Sequence, residues 1–393
     1  MTIKEFYEKI PLIEEVFNAI KRLEEYGVRV VELTRSEGNK PIYALEYGRG
    51  NKKIVVIAGQ HGSEPAPILA SIMFMYKLLG NELSDTISRR EAFNECHITI
   101  VPLVNPDGFA HLKKCLEDCN APDWKCECIK ARLTSLLVDI NRDWLLLKHN
   151  ATRTIHKLIN TIDPHVILDL HEFYAQGGSP PKWAHETEGF NAYITDTPYL
   201  GVSTEITYVS YMLAQKIRDT VLNVTGWPTK IIRAGNGLAV LPPIYLGTHF
   251  PIEGIPKILV ETWGVGLGRF LLYERINAHI ETIASTLRFT IDNIDLIEKA
   301  KEADKKYDKV IGETFGSKYI IEGKELEEAS KVLEYHEIRY VRRNNAIEVA
   351  MPQKYSRTTL FLLDKEYYPN RILALKNNVH VIDRLFDVKI RKH

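Results

Sequence analysis

Up to residue 300 the chain alternates between two patterns of apolar positions, one typical of buried strands and the other typical of helices. Short runs of consecutive apolar residues predict strands, whereas apolar residues spaced three and four apart predict helices. The predicted strands are 54–58, 98–104, 166–170 and 258–262, and the predicted helices are 65–79, 152–162, 203–223 and 270–300. This alternation favours a three-layer α/β/α fold, in which helices cover both faces of a central mixed, mainly parallel sheet.

The N-terminal segment has a different pattern. Residues 3–26 show the helical spacing of apolar residues, and two strand-like runs, 28–33 and 42–47, flank a turn that contains glycine, asparagine and proline. We therefore predict an amphipathic helix that packs on a β-hairpin.

A run of charged residues at 301–306 follows the last long predicted helix and indicates a domain boundary. A chain of 393 residues is also longer than one core usually organises. We predict a large domain over residues 1–304 and a small accessory domain of α+β or β type over residues 305–393. The short strand-like pieces of the accessory domain come with no candidate cluster of metal ligands.

The charge balance limits the classes of partner. Lys+Arg and Asp+Glu both number 51, so the formal net charge is zero. We therefore expect no general attraction to nucleic acid or to an anionic membrane surface. The first residues lack a basic segment followed by an apolar core, and no apolar run reaches bilayer length. The sequence thus predicts a cytoplasmic protein without a secretory signal or a transmembrane segment.

Four of the five cysteines lie close together in the sequence, namely Cys115, Cys119, Cys126 and Cys128. Three interpretations remain open for them: one or two disulfides that staple a surface loop, a structural metal site, or free thiols. Their spacing matches no familiar zinc-finger pattern.

The first candidate for chemistry is a pair of residues at the end of a predicted strand. His61 and Glu64 are three residues apart at the start of a helical stretch, so their side chains point the same way. A catalytic zinc site needs three protein ligands, and His171, at the end of another predicted strand, can supply the third. Two histidines and one carboxylate are typical of hydrolytic zinc sites. Each feature alone also fits a chance pair or a hydrogen-bonded core histidine.

Other strand ends carry polar residues as well. A predicted strand leads into Asn-Pro-Asp-Gly at 105–108, which predicts a sharp reversal of the chain. Asn141 and Arg142 form a fork suited to holding a carboxylate by paired hydrogen bonds. Glu261 ends an apolar strand, where a buried carboxylate needs a partner. Because ligands gather at the carboxyl ends of strands in such folds, we expect these residues to converge.

Five short motifs, in this order and spacing, resemble those of the zinc carboxypeptidase family, whose cousins include aspartoacylase and succinylglutamate desuccinylase. The motifs are H-G-S-E, N-P-D-G, D-I-N-R, D-L-H and V-E-T. The resemblance covers roughly residues 32–288 and implies the carboxypeptidase A/B fold. It also implies one Zn²⁺ ion per chain, held by His61, Glu64 and His171.

The same resemblance implies roles for four further residues. Glu261 corresponds to the general base that takes a proton from water and delivers it to the leaving nitrogen. Asn141 and Arg142 correspond to the pair that grips the terminal carboxylate of the substrate. Asp139 corresponds to the carboxylate that orients His61, a role that also follows from the usual hydrogen bond of a ligating imidazole.

The cation that stabilises the oxyanion in the family lies between N-P-D-G and the N-R pair. Here the candidates are Arg132, Lys125 and Lys130, of which we favour Arg132. Glu172, which follows the histidine of D-L-H, is expected to have a structural or supporting role rather than to be a fourth ligand.

Three functions remain open from the sequence. The first is a zinc metallocarboxypeptidase that removes a C-terminal residue from a peptide. The second is a zinc-dependent deacylase that cleaves N-acyl amino acids, because H-G-S-E-P is closer to the deacylase cousins and residues 235–240 lack the tyrosine expected of carboxypeptidases. In both cases the substrate carries a free carboxylate. The third is a binding module that has kept the fold without catalysis.

Overall fold

The computed structural model describes residues 3–83, 85–118, 128–174, 192–195, 200–232, 241–375 and 381–393. The strands are β1 (Arg29–Arg35), β2 (Pro41–Tyr47), β3 (Lys52–Ala58), β4 (Cys96–Val101), β5 (Val166–Tyr174), β6 (Ala192–Thr195), β7 (Thr229–Ile231), β8 (Lys257–Val265), β9 (Lys318–Gly323), β10 (Val341–Arg343), β11 (Ala346–Ala350) and β12 (Val388–Lys392).

The helices predicted over 65–79, 152–162 and 203–223 are present, with bounds that agree to within about two residues. The helices are α1 (Ile13–Arg22), α2 (Pro65–Leu79), α3 (Arg89–Glu95), α4 (Pro106–Glu117), α5 (Ile129–Arg132), α6 (Asn150–Ile162), α7 (Thr204–Thr225), α8 (Leu246–Ile252), α9 (Leu272–Asp292), α10 (Ile294–Phe315), α11 (Leu326–Tyr335), α12 (Ser356–Leu363) and α13 (Tyr368–Ala374). Short 3-10 helices occupy Ile3–Tyr7, Leu23–Tyr26, Ile140–Arg142 and Ile382–Arg384.

The large sheet has eight strands in the order β1-β2-β4-β3-β5-β8-β6-β7. Its four central strands are parallel to one another, because β3 pairs with β4 and β5, and β5 pairs with β8, in parallel register. The hairpin β1–β2 adds antiparallel strands at one edge, and β6 runs antiparallel to β8 near the other. The predicted mixed, mainly parallel sheet is confirmed.

Helices cover both faces of this sheet, as the alternation of side chains in β3 shows. Ile54, Val56 and Ala58 belong to the core that includes α2, α7 and α9. Val55 and Ile57 belong to the core on the other face, which includes α6 and α8. Since successive strand residues point to opposite faces, the continuous apolar run of β3 fills two cores and produces the three-layer architecture.

The prediction of one continuous helix over 270–300 is wrong, because two helices, α9 and α10, occupy this part of the chain. The backbone of Asn293 leaves the helical region at φ −122° and ψ 23°, between α9 and α10. Its side-chain amide donates to the Phe289 carbonyl at 2.9 Å, and its backbone N–H donates to the same carbonyl at 3.0 Å. The amphipathic pattern continues through the break, so periodicity alone does not show it.

Two local predictions in the first half of the chain also differ from the structure. The helix expected over 3–26 is divided into α1 and two 3-10 segments. The turn expected at 105–108 is instead the start of α4, where the Asn105 side chain caps the helix by accepting from the Gly108 N–H and Pro106 occupies the first turn. Asn-Pro suits a helix start as well as a reversal, because proline needs no hydrogen-bond acceptor there.

Residues after α10 form a second, four-stranded antiparallel sheet in the order β10-β11-β9-β12. Its apolar core also contains Leu145, Ile244 and Ile252 from the first part of the chain. The division at 304/305 stays a prediction. The charged run that suggested it lies within α10, whose Asp304 forms an ion pair with the buried Arg357 of α12.

The cysteine cluster is partly described. Cys115 at the end of α4 forms a disulfide with Cys128, the residue before α5, and Cys96 is a buried free thiol. Cys119 and Cys126 lie outside the described residues. Among the helices that the structure describes, none has the combination of length and apolar character that crossing a membrane requires.

Candidate metal centre

Three side chains predicted as ligands meet at the carboxyl ends of β3 and β5. His61 lies in the loop after β3, Glu64 precedes α2, and His171 lies in β5; all three are at most 3% exposed. The Nδ1 atom of His61 lies 2.7 Å from Oε1 of Glu64, and Nδ1 of His171 lies 2.9 Å from Oε2. The structure therefore brings together the three residues that the sequence indicated, with one donor atom each available to a single ion.

The second nitrogen of each imidazole faces another carboxylate. Nε2 of His61 donates to Oδ1 of Asp139 at 3.0 Å, and Nε2 of His171 donates to Oδ1 of Asp169 at the same distance. With the proton held on Nε2, each Nδ1 turns its lone pair toward the oxygens of Glu64. Lone pairs at such short distances from carboxylate oxygens repel unless a cation or a proton lies between them. The donor set therefore fits a Zn²⁺ ion bound through two imidazoles and one carboxylate.

Electrostatics favour the charged forms of these carboxylates. Burial by itself raises the pKa of Glu64, but the positive charges that His61 and His171 carry when protonated outweigh it and hold the pKa well below its ordinary value. In the same way, burial raises the pKa of Asp139 and of Asp169, but His61 outweighs this effect at Asp139 and His171 outweighs it at Asp169. The pKa of each of these carboxyls is therefore lowered. Three ionised carboxylates around two imidazoles form a site of negative charge that suits a divalent cation.

Glu261 lies on β8 directly beside His171 of β5 in the parallel register. Partners in register on adjacent strands project to the same face, so the Glu261 carboxylate is on the side of the metal ligands. Its antiparallel partner on β6 is Tyr193, whose hydroxyl hydrogen-bonds to it. Burial raises the pKa of Glu261, with the charge of Glu64 adding to this and His171 opposing it. A carboxylate with a raised pKa is a better proton acceptor at neutral pH.

Arg132, at the end of α5, reaches the same group of residues. Its Nη2 atom lies 3.0 Å from Oδ2 of Asp139, and its Nη1 atom lies 3.5 Å from Oε1 of Glu64. Of the two other cations considered for this role, Lys130 is exposed and Lys125 lies outside the described residues. A guanidinium therefore stands beside the ligand set, where it can stabilise negative charge that develops on a substrate oxygen.

Asn141 and Arg142 follow Asp139 in a 3-10 helix, but they face different partners. The Asn141 carbonyl oxygen Oδ1 accepts from the Leu246 N–H at 3.0 Å, which anchors the start of α8. The Arg142 guanidinium lies over the ring of Tyr245, 4.2 Å from its centroid, and its side chain is 40% exposed. Stacking on an aromatic ring leaves the edge of the guanidinium available to an incoming carboxylate.

Glu172 points away from the metal ligands, as its place in the strand requires. Neighbouring residues of β5 alternate between faces, so Glu172 projects toward α2 and α9 while His171 projects toward the metal centre. Its carboxylate forms a buried ion pair with Nε of Arg275 at 2.7 Å and accepts from the Ala66 N–H. Its geometry agrees with the structural role expected from the sequence.

Sequence reasoning missed the residues that support His171. Asp169 accepts from His171 and also contacts Nζ of the buried Lys257 at 3.4 Å and Nε2 of Gln60 at 2.9 Å. Gln60 is itself fixed, because its Oε1 accepts from the Trp144 indole at 2.8 Å. One signal was available for Asp169, since a residue two positions before a strand ligand shares its face.

The contact between Asp169 and His171 predicts the effect of a substitution at Asp169 on metal affinity. We expect Asp169→Asn to weaken Zn²⁺ binding about ten- to a hundredfold, because an amide holds the His171 N–H less strongly and leaves Lys257 without its charged partner. Competition with a chromogenic chelator measures this. Asp163→Asn is the control, since its exposed carboxylate pairs with Lys301 before β5 begins. Equal affinity in the Asp169 variant and the wild type would show that Asp169 does not support the site.

The sequence of this chain matches known proteins. Residues 13–195 match the family model described as zinc carboxypeptidase. Carboxypeptidase 2 of Trichophyton tonsurans is 25% identical over 246 residues, which cover 60% of this chain and 41% of that protein. The protein of the same name from Trichophyton rubrum is also 25% identical over 246 residues, with the same shares covered. The chain thus spans less than half the length of the curated relatives it matches.

Solved structures share the fold. Thrombin activatable fibrinolysis inhibitor superposes with a TM-score of 0.52 at 12% identity, covering 76% of both chains. Carboxypeptidase A from Helicoverpa armigera gives a TM-score of 0.51 at 14% identity, covering 76% of this chain and 75% of that one. At such low identity these likenesses concern the fold alone, and they agree with the three-layer architecture described above.

Proposed function

We propose that this chain, which is similar to zinc carboxypeptidases over residues 13–195, is a zinc-dependent metallocarboxypeptidase that hydrolyses the C-terminal bond of a peptide. The main support is the convergence of His61, Glu64 and His171, with Nδ1 of each histidine turned toward Glu64 and each Nε2 held by a separate carboxylate. One Zn²⁺ ion per chain fits these donors. When bound there, zinc supplies the Lewis acidity that polarises the scissile carbonyl and activates a water molecule.

Glu261 is the proposed general base. Its carboxylate lies beside His171 on the face of the metal ligands, and burial raises its pKa. It takes one proton from the attacking water and delivers that proton to the leaving nitrogen, so that the amine departs neutral. The hydroxyl of Tyr193 hydrogen-bonds to this carboxylate and fixes its orientation.

Two arginines are placed to bind two different oxygen-bearing groups of the substrate. Arg132, beside Glu64, is placed to stabilise the oxygen of the scissile carbonyl as it gains negative charge. Arg142, with its side chain 40% exposed and stacked on Tyr245, is placed to hold the terminal carboxylate, with Asn141 next to it. Both arginines contact Oδ2 of Asp139, at 3.0 and 3.6 Å, so one carboxylate sets their spacing.

The proposed partner is a peptide with a free C-terminal carboxylate. The acyl-amino-acid substrate and the cytoplasmic location stay predictions from the sequence. Both candidate substrate classes carry the carboxylate that Arg142 would bind, so the substrate itself has to be varied to separate them.

The test compares one peptide in two forms, with a free and with an amidated C-terminus. The wild type should favour the free form, and Arg142→Met should lose about tenfold to a hundredfold in kcat/KM on that form, chiefly through KM. Methionine keeps the length of the side chain and removes the charge. On the amidated peptide the same variant should differ little from the wild type.

Arg218→Met is the matched control, because its guanidinium pairs with Asp219 on the exposed surface of α7. It should leave both rates unchanged. An equal loss on both peptides in the Arg142 variant would contradict its role in holding the carboxylate. Turnover of N-acyl amino acids together with no turnover of any peptide would contradict the carboxypeptidase itself.

A further inference from the structure

A second group of potential ligands lies away from the proposed catalytic centre. His156 is on α6, His249 is on α8, Glu253 follows α8, and His336 follows α11. Their side chains are at most 1% exposed. The sequence indicated no ligand cluster within the C-terminal region, and His336 of that region instead meets three residues of the first part of the chain.

The separations of the donor atoms match those around one small cation. Nε2 of His156 lies 3.2 Å from Nε2 of His249 and 3.8 Å from Oε2 of Glu253. Oε1 of Glu253 lies 3.3 Å from Nε2 of His249 and 3.9 Å from Nδ1 of His336. Ligands about 2.0–2.1 Å from a tetrahedral ion lie roughly 3.3–3.4 Å apart, so small adjustments of the side chains would bring all four into contact with one ion.

Two of the atoms that face this group lack hydrogen-bond partners. Nδ1 of His336 and Oε2 of Glu253 are both buried and unpaired. The other ring nitrogen of His336 donates to the Leu145 carbonyl at 2.7 Å, which leaves Nδ1 with its lone pair directed at the group. Buried polar atoms without partners are destabilising, because they have given up their hydrogen bonds to water. A bound cation would satisfy the lone pairs that face the centre.

We propose that His156, His249, Glu253 and His336 bind a second divalent transition-metal ion in a closed, structural site. Three imidazoles and one carboxylate suit Zn²⁺, whereas Mg²⁺ and Ca²⁺ prefer oxygen ligands alone. Four protein ligands complete a tetrahedron and leave no position for substrate or an attacking water, which is the arrangement of structural zinc.

The position of the site indicates what the ion holds together. His156, His249 and Glu253 belong to the helix layer on one face of the large sheet, and His336 belongs to the region built on the second sheet. The ion thus joins the two regions at one point. Helix α8 also reaches the catalytic side, because the N–H of its first residue, Leu246, donates to Asn141.

The test counts metal ions in the full chain, produced with added zinc and dialysed against metal-free buffer before elemental analysis by mass spectrometry. The wild type should contain two zinc ions per chain, His336→Ala one, His61→Ala one, and the double variant none. Thr358→Val is the control, because its hydroxyl contacts Glu253 at 3.3 Å without being a ligand. It should keep two ions.

One ion in the wild type that is retained in His336→Ala, or two ions in His336→Ala, would overturn the second site. A further measurement covers the case in which His336→Ala does not fold. X-ray absorption at the zinc edge of the His61→Ala protein, whose second group is intact, should show three imidazole nitrogens and one carboxylate oxygen at about 2.0–2.2 Å. Fewer imidazoles, or no retained zinc, would refute the site whether or not the protein is a peptidase.

Discussion

Glu261→Gln should lower kcat by about 10²- to 10⁴-fold while the zinc content and the fold remain unchanged. Glutamine has nearly the same size and keeps a hydrogen-bond acceptor for Tyr193, but its amide cannot take a proton from water. Since Glu261 projects beside His171 without being one of the three grouped ligands, the substitution should spare the metal donors. KM should change little, because the lost interaction belongs to the transition state.

Steady-state kinetics on a peptide with a free C-terminus, together with zinc analysis of the same preparation, measure this effect. Glu261→Asp provides an intermediate, since it keeps a carboxylate but withdraws it by one methylene group, and its kcat should lie between those of the wild type and Glu261→Gln. Unaltered turnover in Glu261→Gln would remove the residue from the mechanism. A parallel loss of zinc would mean that Glu261 supports the metal instead.

His61→Ala should remove the ion of the catalytic centre and nearly all activity. Glu64 and His171 remain as two donors, one fewer than the three protein ligands that catalytic zinc sites have. Asp139 also loses the imidazole that it orients and keeps Arg132 and Arg142 as its charged neighbours. Lewis-acid stabilisation is worth several kcal/mol, which corresponds to roughly three to five orders of magnitude in rate.

His165→Ala is the matched control for this loss. His165 precedes β5 at the end of the sheet opposite the centre, where Nδ1 accepts from the Lys53 N–H at 2.9 Å. It should retain zinc and activity, with at most a small decrease in stability. If His61→Ala hydrolysed peptide at the wild-type rate, the assignment of the catalytic metal to this set would be untenable.

The main features of the fold were predictable from the sequence because they depend on local patterns. The bounds of α2 follow from its helical spacing, and the strand character of β3 follows from its apolar run. The division between α9 and α10 was not predictable in this way, since the apolar spacing continues across Asn293, where the backbone leaves the helical region.

The candidate catalytic centre was predictable to a similar extent. Polar residues at strand ends and at the starts of helices, such as His61 and Glu64, can be recognised from the local sequence pattern. The parallel sheet then brings such positions to one edge. The sequence also indicated Asp139 as the partner of His61, and the structure places it at 3.0 Å. The catalytic roles of these residues stay predictions until the variants are measured.

By itself the sequence determined the alternation of the main strands and helices, the candidate ligands of the first site and the resemblance to zinc carboxypeptidases. Only the tertiary structure decided that Asp169 supports His171, that Glu172 pairs with Arg275, and that His336 meets His156, His249 and Glu253. The physical reason is the distance along the chain over which each feature is set. Helical and strand periods are set by neighbouring residues, whereas a cluster assembled from distant segments depends on how whole layers pack, which no local pattern records.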